Sequence, residues 1–219
     1  MKRNIDINEV SDGKLYGIND MVRAECHDCK GCSDCCRGMG TSIILDPYDV
    51  YRLSKGLNLT FEQLLGSYAE LNVVDGIILP NLKMSGTDES CMFLNEAGRC
   101  SIHSIRPGIC RLFPLGRIYG EGTFQYFIQI NECSDKNRTK VKVKKWIDTP
   151  NVSVYETYIN DWHNYLMDME KVIADNENDG ISRQVSIMLL NTFYIQPYIQ
   201  EEDFYPQFYN RLEKNRKII

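Results

Sequence analysis

Residues 26–38 read CHDCKGCSDCCRG and hold five of the nine cysteines of the chain. The other four are Cys91, Cys100, Cys110 and Cys133. All nine lie before residue 134, although the chain runs to residue 219. A random scatter would place several cysteines in the last third of the chain, so this confinement indicates one common site.

The spacing within the first cluster is typical of metal ligands. Two residues separate each successive pair from Cys26 to Cys35, and such a turn lets two sulfurs converge on one metal, as in zinc knuckles and iron–sulfur loops. Glycines at positions 31, 38 and 40 favour loop backbone around it. Cys36 follows Cys35 directly, and we expect these two side chains to diverge. They would then serve different metals or opposite sides of one cluster.

Composition and charge narrow the class of protein. Hydrophobic residues make up 43% and charged residues 25%, which is ordinary for a globular protein with a core. The net charge of −5 argues against general nucleic-acid binding. The first residues, MKRNIDINEVSDGKLYG, lack the apolar run of a secretory signal, and no window has transmembrane character. We therefore expect a cytoplasmic protein with no membrane contact, in which reduced thiols bind metal rather than form disulfides.

Local patterns predict an α+β fold, with a small cysteine-rich metal-binding core of short hairpins and helices and an all-helical C-terminal extension. Residues 1–25 are predicted to be irregular. One helix is predicted after Asp46, with Pro47 at its first position and Gly56 at its end. A second is predicted after Thr60, where Gln63 completes a capping box.

Strand pairs and further helices follow along the chain. Hairpins are predicted for VVDGIILPNLKM, CMFLNEAGRCSI and residues 115–131, and a short helical turn for SIRPGICRLFP. The basic run SDKNRTKVKVKK favours a solvated edge strand or a linker over a contact with nucleic acid or an acidic partner. Helical periodicity begins at Val152, with later helices near 182–195 and 201–214. The predicted division is a metal-binding domain at 1–135 and, at 136–219, a basic linker and helical extension packed on it.

Four motifs, in order, resemble one known family. They are C-x2-C-x2-CC ending at Cys36, CMFL from Cys91, GRCSI around Cys100 and RPGICRLFP around Cys110. Together they resemble the CxxCxxCC cysteine-cluster family, also called YkgJ-like, described as chelating zinc or iron. The resemblance covers roughly residues 26–133 and implies eight metal ligands: Cys29, Cys32, Cys35, Cys36, Cys91, Cys100, Cys110 and Cys133. Cys26 falls outside the family pattern, and His103 stands where the family has Tyr.

The chemistry of these ligands leaves two metals and two functions open. Eight thiolates exceed the needs of one structural zinc, which narrowly favours iron–sulfur clusters, but two zinc sites would use the same number. His27 or His103 could replace a thiolate on zinc. The basic residues nearby in sequence are expected to donate hydrogen bonds to sulfur, namely Arg99, Arg106, Arg111 and Arg117.

The role would be structural or electron-carrying, in an accessory module with an unknown protein partner. A related domain occurs in flagellin lysine N-methylases, so the resemblance also allows a protein-modifying enzyme. The oligomeric state stays open.

Overall fold

The computed structural model describes residues 6–26, 32–133, 137–176 and 180–217. The α-helices in these ranges are α1 (Ile7–Val10), α2 (Pro47–Leu57), α3 (Phe61–Ser67), α4 (Gly108–Leu112), α5 (Val143–Ile147), α6 (Val152–Ala174), α7 (Gly180–Leu190) and α8 (Phe204–Arg216). The β-strands are β1 (Met21–Glu25), β2 (Ala69–Val74), β3 (Ile77–Leu82), β4 (Met84–Ser85), β5 (Ser90–Cys91), β6 (Leu115–Tyr119), β7 (Phe124–Ile128) and β8 (Thr139–Lys142).

The strands form four separate antiparallel pairs: β1 with β8, β2 with β3, β4 with β5 and β6 with β7. The helices make up 45% of the structure and the strands 21%. Because the strands do not alternate with helices in one parallel sheet, the predicted α+β class with a helical C-terminal region is confirmed.

The two predicted helix caps are confirmed. The side chain of Asp46 accepts a hydrogen bond from the N–H of Asp49 at 2.9 Å, and the Asp49 carboxylate accepts one from the N–H of Asp46 at 3.2 Å. Thr60 and Gln63 form the same reciprocal pair at the start of α3. Helix α2 ends at Leu57, one residue beyond the predicted end at Gly56. The left-handed residue that stops the helix is Asn58, with φ 54°.

The prediction of an irregular segment over residues 1–25 is wrong where the chain forms α1 and β1, and residues 1–5 lie outside the described residues. Strand β1 pairs with β8, and its Val22 and Ala24 are 1% and 0% exposed while Arg23 between them faces solvent. The middle of the basic run supplies β8, which confirms its interpretation as an edge strand over Thr139–Lys142, whereas the run ends in helix α5. The strand pair brings the end of β1, just before Cys26, next to Thr139.

The hairpin prediction is confirmed for β2–β3 and β6–β7 but is wrong for residues 91–102. There an isolated bridge joins Leu94 and Cys100, and the regular pairing is Met84 with Cys91 in β4–β5. A tight turn explains the difference, because the N–H of Asn95 donates to the carbonyl of Arg99 at 2.9 Å. The chain therefore closes locally before it can extend two strands.

The predicted C-terminal helices are confirmed as α6, α7 and α8, and a π-helical turn, Asn191–Ile195, extends α7. Helix α6 packs its aromatic face inward, and the ring of Tyr158 meets those of Phe204 and Phe208 with centroids 5.3 and 4.7 Å apart. One continuous hydrophobic core includes residues from both sides of position 135. The domain boundary at that position stays a prediction. No described helix is long and apolar enough to cross a membrane.

Candidate metal centre

One cavity of about 60 Å³ collects the cysteines from four distant parts of the chain. Eight of them line it: Cys26, Cys32, Cys35, Cys36, Cys91, Cys100, Cys110 and Cys133. All eight are thiols rather than disulfides. Two other candidates, Cys29 and His27, lie outside the described residues. His103 also lines the cavity.

The first cluster is held against the strand that ends in Cys91. Its last cysteines lie on a 3₁₀ turn, Asp34–Cys36, and the next residue, Arg37, pairs with Asp88 and donates to the Ser90 hydroxyl at 2.7 Å. The N–H of Gly38 adds a bond to the carbonyl of Glu89 at 3.1 Å. Sequence reasoning missed Arg37, because its partners lie some fifty residues away and no local motif marks them.

The tight turn after Cys91 places Cys100 beside Cys91 in the wall of the cavity. The N–H of Ser101 donates to the carbonyl of Phe93 at 2.8 Å, and Leu94 bridges Cys100. Burial raises the pKa of the Cys91 thiol, and the neighbouring charge of Cys100 raises it further. The two ends of this turn thus present their sulfurs to the same cavity.

A third element, α4, brings in Cys110. The Asp49 carboxylate of α2 accepts a hydrogen bond from the N–H of Gly108 at 2.7 Å. At the other end of α4, the indole N–H of Trp146 lies 3.2 Å from the carbonyl of Leu112. Burial raises the pKa of the Cys110 thiol well above its ordinary value, and the charge of Cys35 adds to the effect. The helix is therefore anchored at both ends, with its cysteine facing the cavity.

Comparison with known families agrees with this arrangement. A family model described as "CxxCxxCC: Putative zinc- or iron-chelating domain" matches residues 28–145, more than half of the chain. The chain belongs to the CxxCxxCC family. No solved structure matches the chain. The matched region begins after Cys26, so this CxxCxxCC protein has one thiol in its cavity that lies outside the matched residues.

The adjacent cysteines of the CxxCxxCC motif contact each other: a side-chain hydrogen bond with Cys36, together with burial, raises the pKa of the Cys35 thiol. The expectation that the two serve different metals or opposite sides of one cluster stays a prediction. The 3₁₀ turn accounts for the contact because it winds the backbone tightly between them. Two neighbouring thiols therefore face the cavity together.

Of the four arginines expected near sulfur, two line the cavity of this CxxCxxCC site in the described part of the chain. Arg99 and Arg106 line the cavity. Burial raises the pKa of the Cys100 thiol, and the charge of Arg106 opposes that rise. Arg111 and Arg117 were expected to reach sulfur, and their hydrogen bonds instead go to backbone carbonyls and to the Tyr155 hydroxyl.

The donor set fits zinc or iron. Thiolates are preferred ligands of both zinc and iron–sulfur clusters. The buried Nε of Arg106 has no hydrogen-bond partner among the described residues, as expected of a cation placed to meet thiolate charge. Within the described ranges, which leave out Cys29, no three candidate side chains are close enough to hold one ion.

Proposed function

We propose that this protein holds metal through its cysteine thiolates, as a structural or electron-carrying accessory protein of the cytoplasm. The observation that carries the proposal is the single cavity lined by Cys26, Cys32 and six further thiols from distant segments. A single cysteine ordinarily packs in the core as a small hydrophobic residue, but core packing alone does not explain eight cysteines around one cavity. The net charge of −5 favours a protein partner over nucleic acid.

The thiols divide into two sets of four. The first set consists of Cys35, Cys91, Cys100 and Cys110. It is supported by the cavity that these thiols line and by the charge of Cys35, which raises the pKa of the other three. The second set consists of Cys29, Cys32, Cys36 and Cys133, of which Cys133 influences Cys32. Cys26 lines the same cavity and is a further candidate ligand outside these two sets of four.

Iron–sulfur clusters are the favoured cofactor by a narrow margin over two zinc ions. The hydrogen-bonded pair Cys35 and Cys36 places the two sets side by side, which suits adjacent clusters or centres. Four thiolates around Zn²⁺ or a [4Fe–4S]²⁺ cluster leave about two negative charges. Arg99 and Arg106 supply positive charge to offset them.

The size of the cavity favours this role over catalysis. At about 60 Å³ it is far below the roughly 300–1,000 Å³ of small-molecule pockets. The alternative is a protein-modifying enzyme resembling lysine N-methylases. A wider cleft of about 530 Å³ lies nearby, but Arg52, Lys144 and Lys145 line it and would repel a substrate lysine. This cleft therefore gives the alternative no support.

Elemental analysis and the visible absorption spectrum of anaerobically purified protein test the proposal. We expect bound iron with a broad visible absorption band. A colourless protein with stoichiometric zinc would show that the cofactor is zinc and not an iron–sulfur cluster. Cys110→Ser should lose metal, whereas Ile109→Ser, a partly exposed neighbour on α4, should keep it. A wild-type protein that is folded without zinc or iron would contradict the proposed function.

A further inference from the structure

The wider cleft of about 530 Å³ lies beside the cysteine cavity and is distinct from it. The residues that line it are Arg52, Ser104, Arg111, Lys144, Lys145, Asp148, Thr149, Pro150, Asn151 and Val152. Helix α4 takes part in both, because Cys110 lines the cysteine cavity and Arg111 lines the cleft. The family match does not assign a ligand to this second space.

Two arginines of the cleft are fixed by the same backbone carbonyl. Arg52 and Arg111 both donate to the carbonyl of Ser104, at 2.9 and 2.5 Å. Arg111 also donates to the carbonyls of Arg106 and Asp148 and is 3% exposed. Its charge is therefore held rigidly in the wall of the cleft, so little side-chain freedom is lost when a ligand binds.

Two lysines carry charge that the described residues do not neutralise. Lys144 and Lys145 are exposed on α5, and neither forms an ion pair within the described ranges. The one carboxylate among the lining residues, Asp148, lies 4.0 Å from the Arg111 guanidinium. Four basic side chains minus one acidic side chain leave a net charge of +3 in the cleft, although the whole chain carries −5.

We propose that this cleft binds a small phosphate ester. A phosphate group carries up to two negative charges and three acceptor oxygens, and Arg and Lys bind it by charge-assisted hydrogen bonds. The volume lies within the range of small-molecule pockets, which leaves room for the organic part of the ester. Because the positive charge lies in a concavity rather than along an exposed stripe, a small ligand fits better than nucleic acid.

The test is calorimetric titration of the full-length, metal-loaded protein with inorganic phosphate and, separately, with ribose 5-phosphate. We expect ribose 5-phosphate to bind, and the double variant Lys144→Ala/Lys145→Ala to weaken binding by about tenfold or more. Equal affinity for inorganic phosphate would mean that the phosphate group alone is recognised. Weaker binding of inorganic phosphate would mean that the ester also uses its organic part. Both results support a phosphate site.

Lys140→Ala/Lys142→Ala is the matched control, since it removes two exposed lysines from neighbouring β8 with the same change in net charge. It should leave the affinity within about twofold of wild type, because these lysines do not line the cleft. Thermal unfolding of both double variants verifies that they are folded. The proposal is overturned if neither phosphate compound binds, or if both double variants weaken binding equally.

Discussion

The carboxylate of Asp49 accepts a hydrogen bond from the backbone N–H of Gly108 at 2.7 Å. This contact joins α2 to the first residue of α4, two positions before Cys110. It also forces close packing, because a Cβ at Gly108 would overlap the Tyr155 hydroxyl. The position of one wall of the cysteine cavity thus depends on a glycine between two long helices.

Gly108→Ala should destabilise the protein by about 1–3 kcal/mol, since the added methyl must push apart buried groups. Displacement of α4 should also lower the metal-to-protein ratio. Denaturant unfolding with elemental analysis measures both effects. Gly66→Ala on α3 is the matched control, because its Cβ would meet no atom within 4 Å. It should be neutral or stabilise by up to about 1 kcal/mol. Equal stability of the two variants would contradict the packing account.

Arg106→Gln should weaken metal binding by about 10- to 100-fold, the usual effect of removing a group that supports metal ligands. The reason is that the charge of Arg106 opposes the burial that raises the pKa of the Cys100 thiol. Competition with a chelator measures the affinity. Arg106→Lys should recover part of it, and Arg23→Gln, on the exposed face of β1, should have no effect. Wild-type affinity of Arg106→Gln would remove this arginine from the site.

Cys26→Val distinguishes ligation from packing at a thiol that is 7% exposed and lies outside the matched family region. If the thiol binds metal, as we expect, the variant should fold but contain less metal, or lose its metal more readily to a chelator. Valine would satisfy a purely apolar role at least as well. Val22→Thr perturbs the buried face of β1, the strand just before Cys26, at a residue that does not line the cavity, so its metal content should match wild type. Full metal retention by Cys26→Val would leave Cys26 as a core residue.

Tyr165→Phe should make the stability of the protein less sensitive to alkaline pH. Burial raises the pKa of Tyr165 from 10.0 to about 12. Between these values the unfolded state has released the proton and the folded state retains it, so the free energy of unfolding falls as pH rises. The variant lacks the tyrosine hydroxyl that titrates, so its free energy of unfolding should fall less steeply as pH rises. Below about pH 9 the difference between variant and wild type should be constant, which serves as the control. Parallel curves from about pH 10 to 12 would contradict the prediction.

Local signals allowed much of the fold to be predicted. The caps at Asp46 and Thr60 depend on residues three positions away, and both occur as the sequence indicates. Strand β1 could not be predicted in the same way, because its partner β8 lies more than a hundred residues further along the chain. A short strand paired to one distant strand leaves little trace in its own composition.

The candidate site was likewise predictable only where the signal in the sequence is local. The cysteines were identifiable because C-x2-C spacing has a local chemical reason. The basic residues that support the cysteines could not be identified from the sequence, because four arginines near the cysteines were equivalent candidates. Of the two on and next to α4, Arg106 lines the cysteine cavity and Arg111 lines the neighbouring cleft. Only the packing of α4 against α2 and α5 separates them.

X-ray absorption at the metal edge of the purified wild-type protein tests the central claim most directly. If cysteine thiolates hold the metal, each metal atom should show sulfur neighbours at about 2.3 Å and little nitrogen or oxygen. For iron–sulfur clusters, a second shell of iron should accompany them. A first shell dominated by nitrogen or oxygen would contradict a thiolate-bound metal centre.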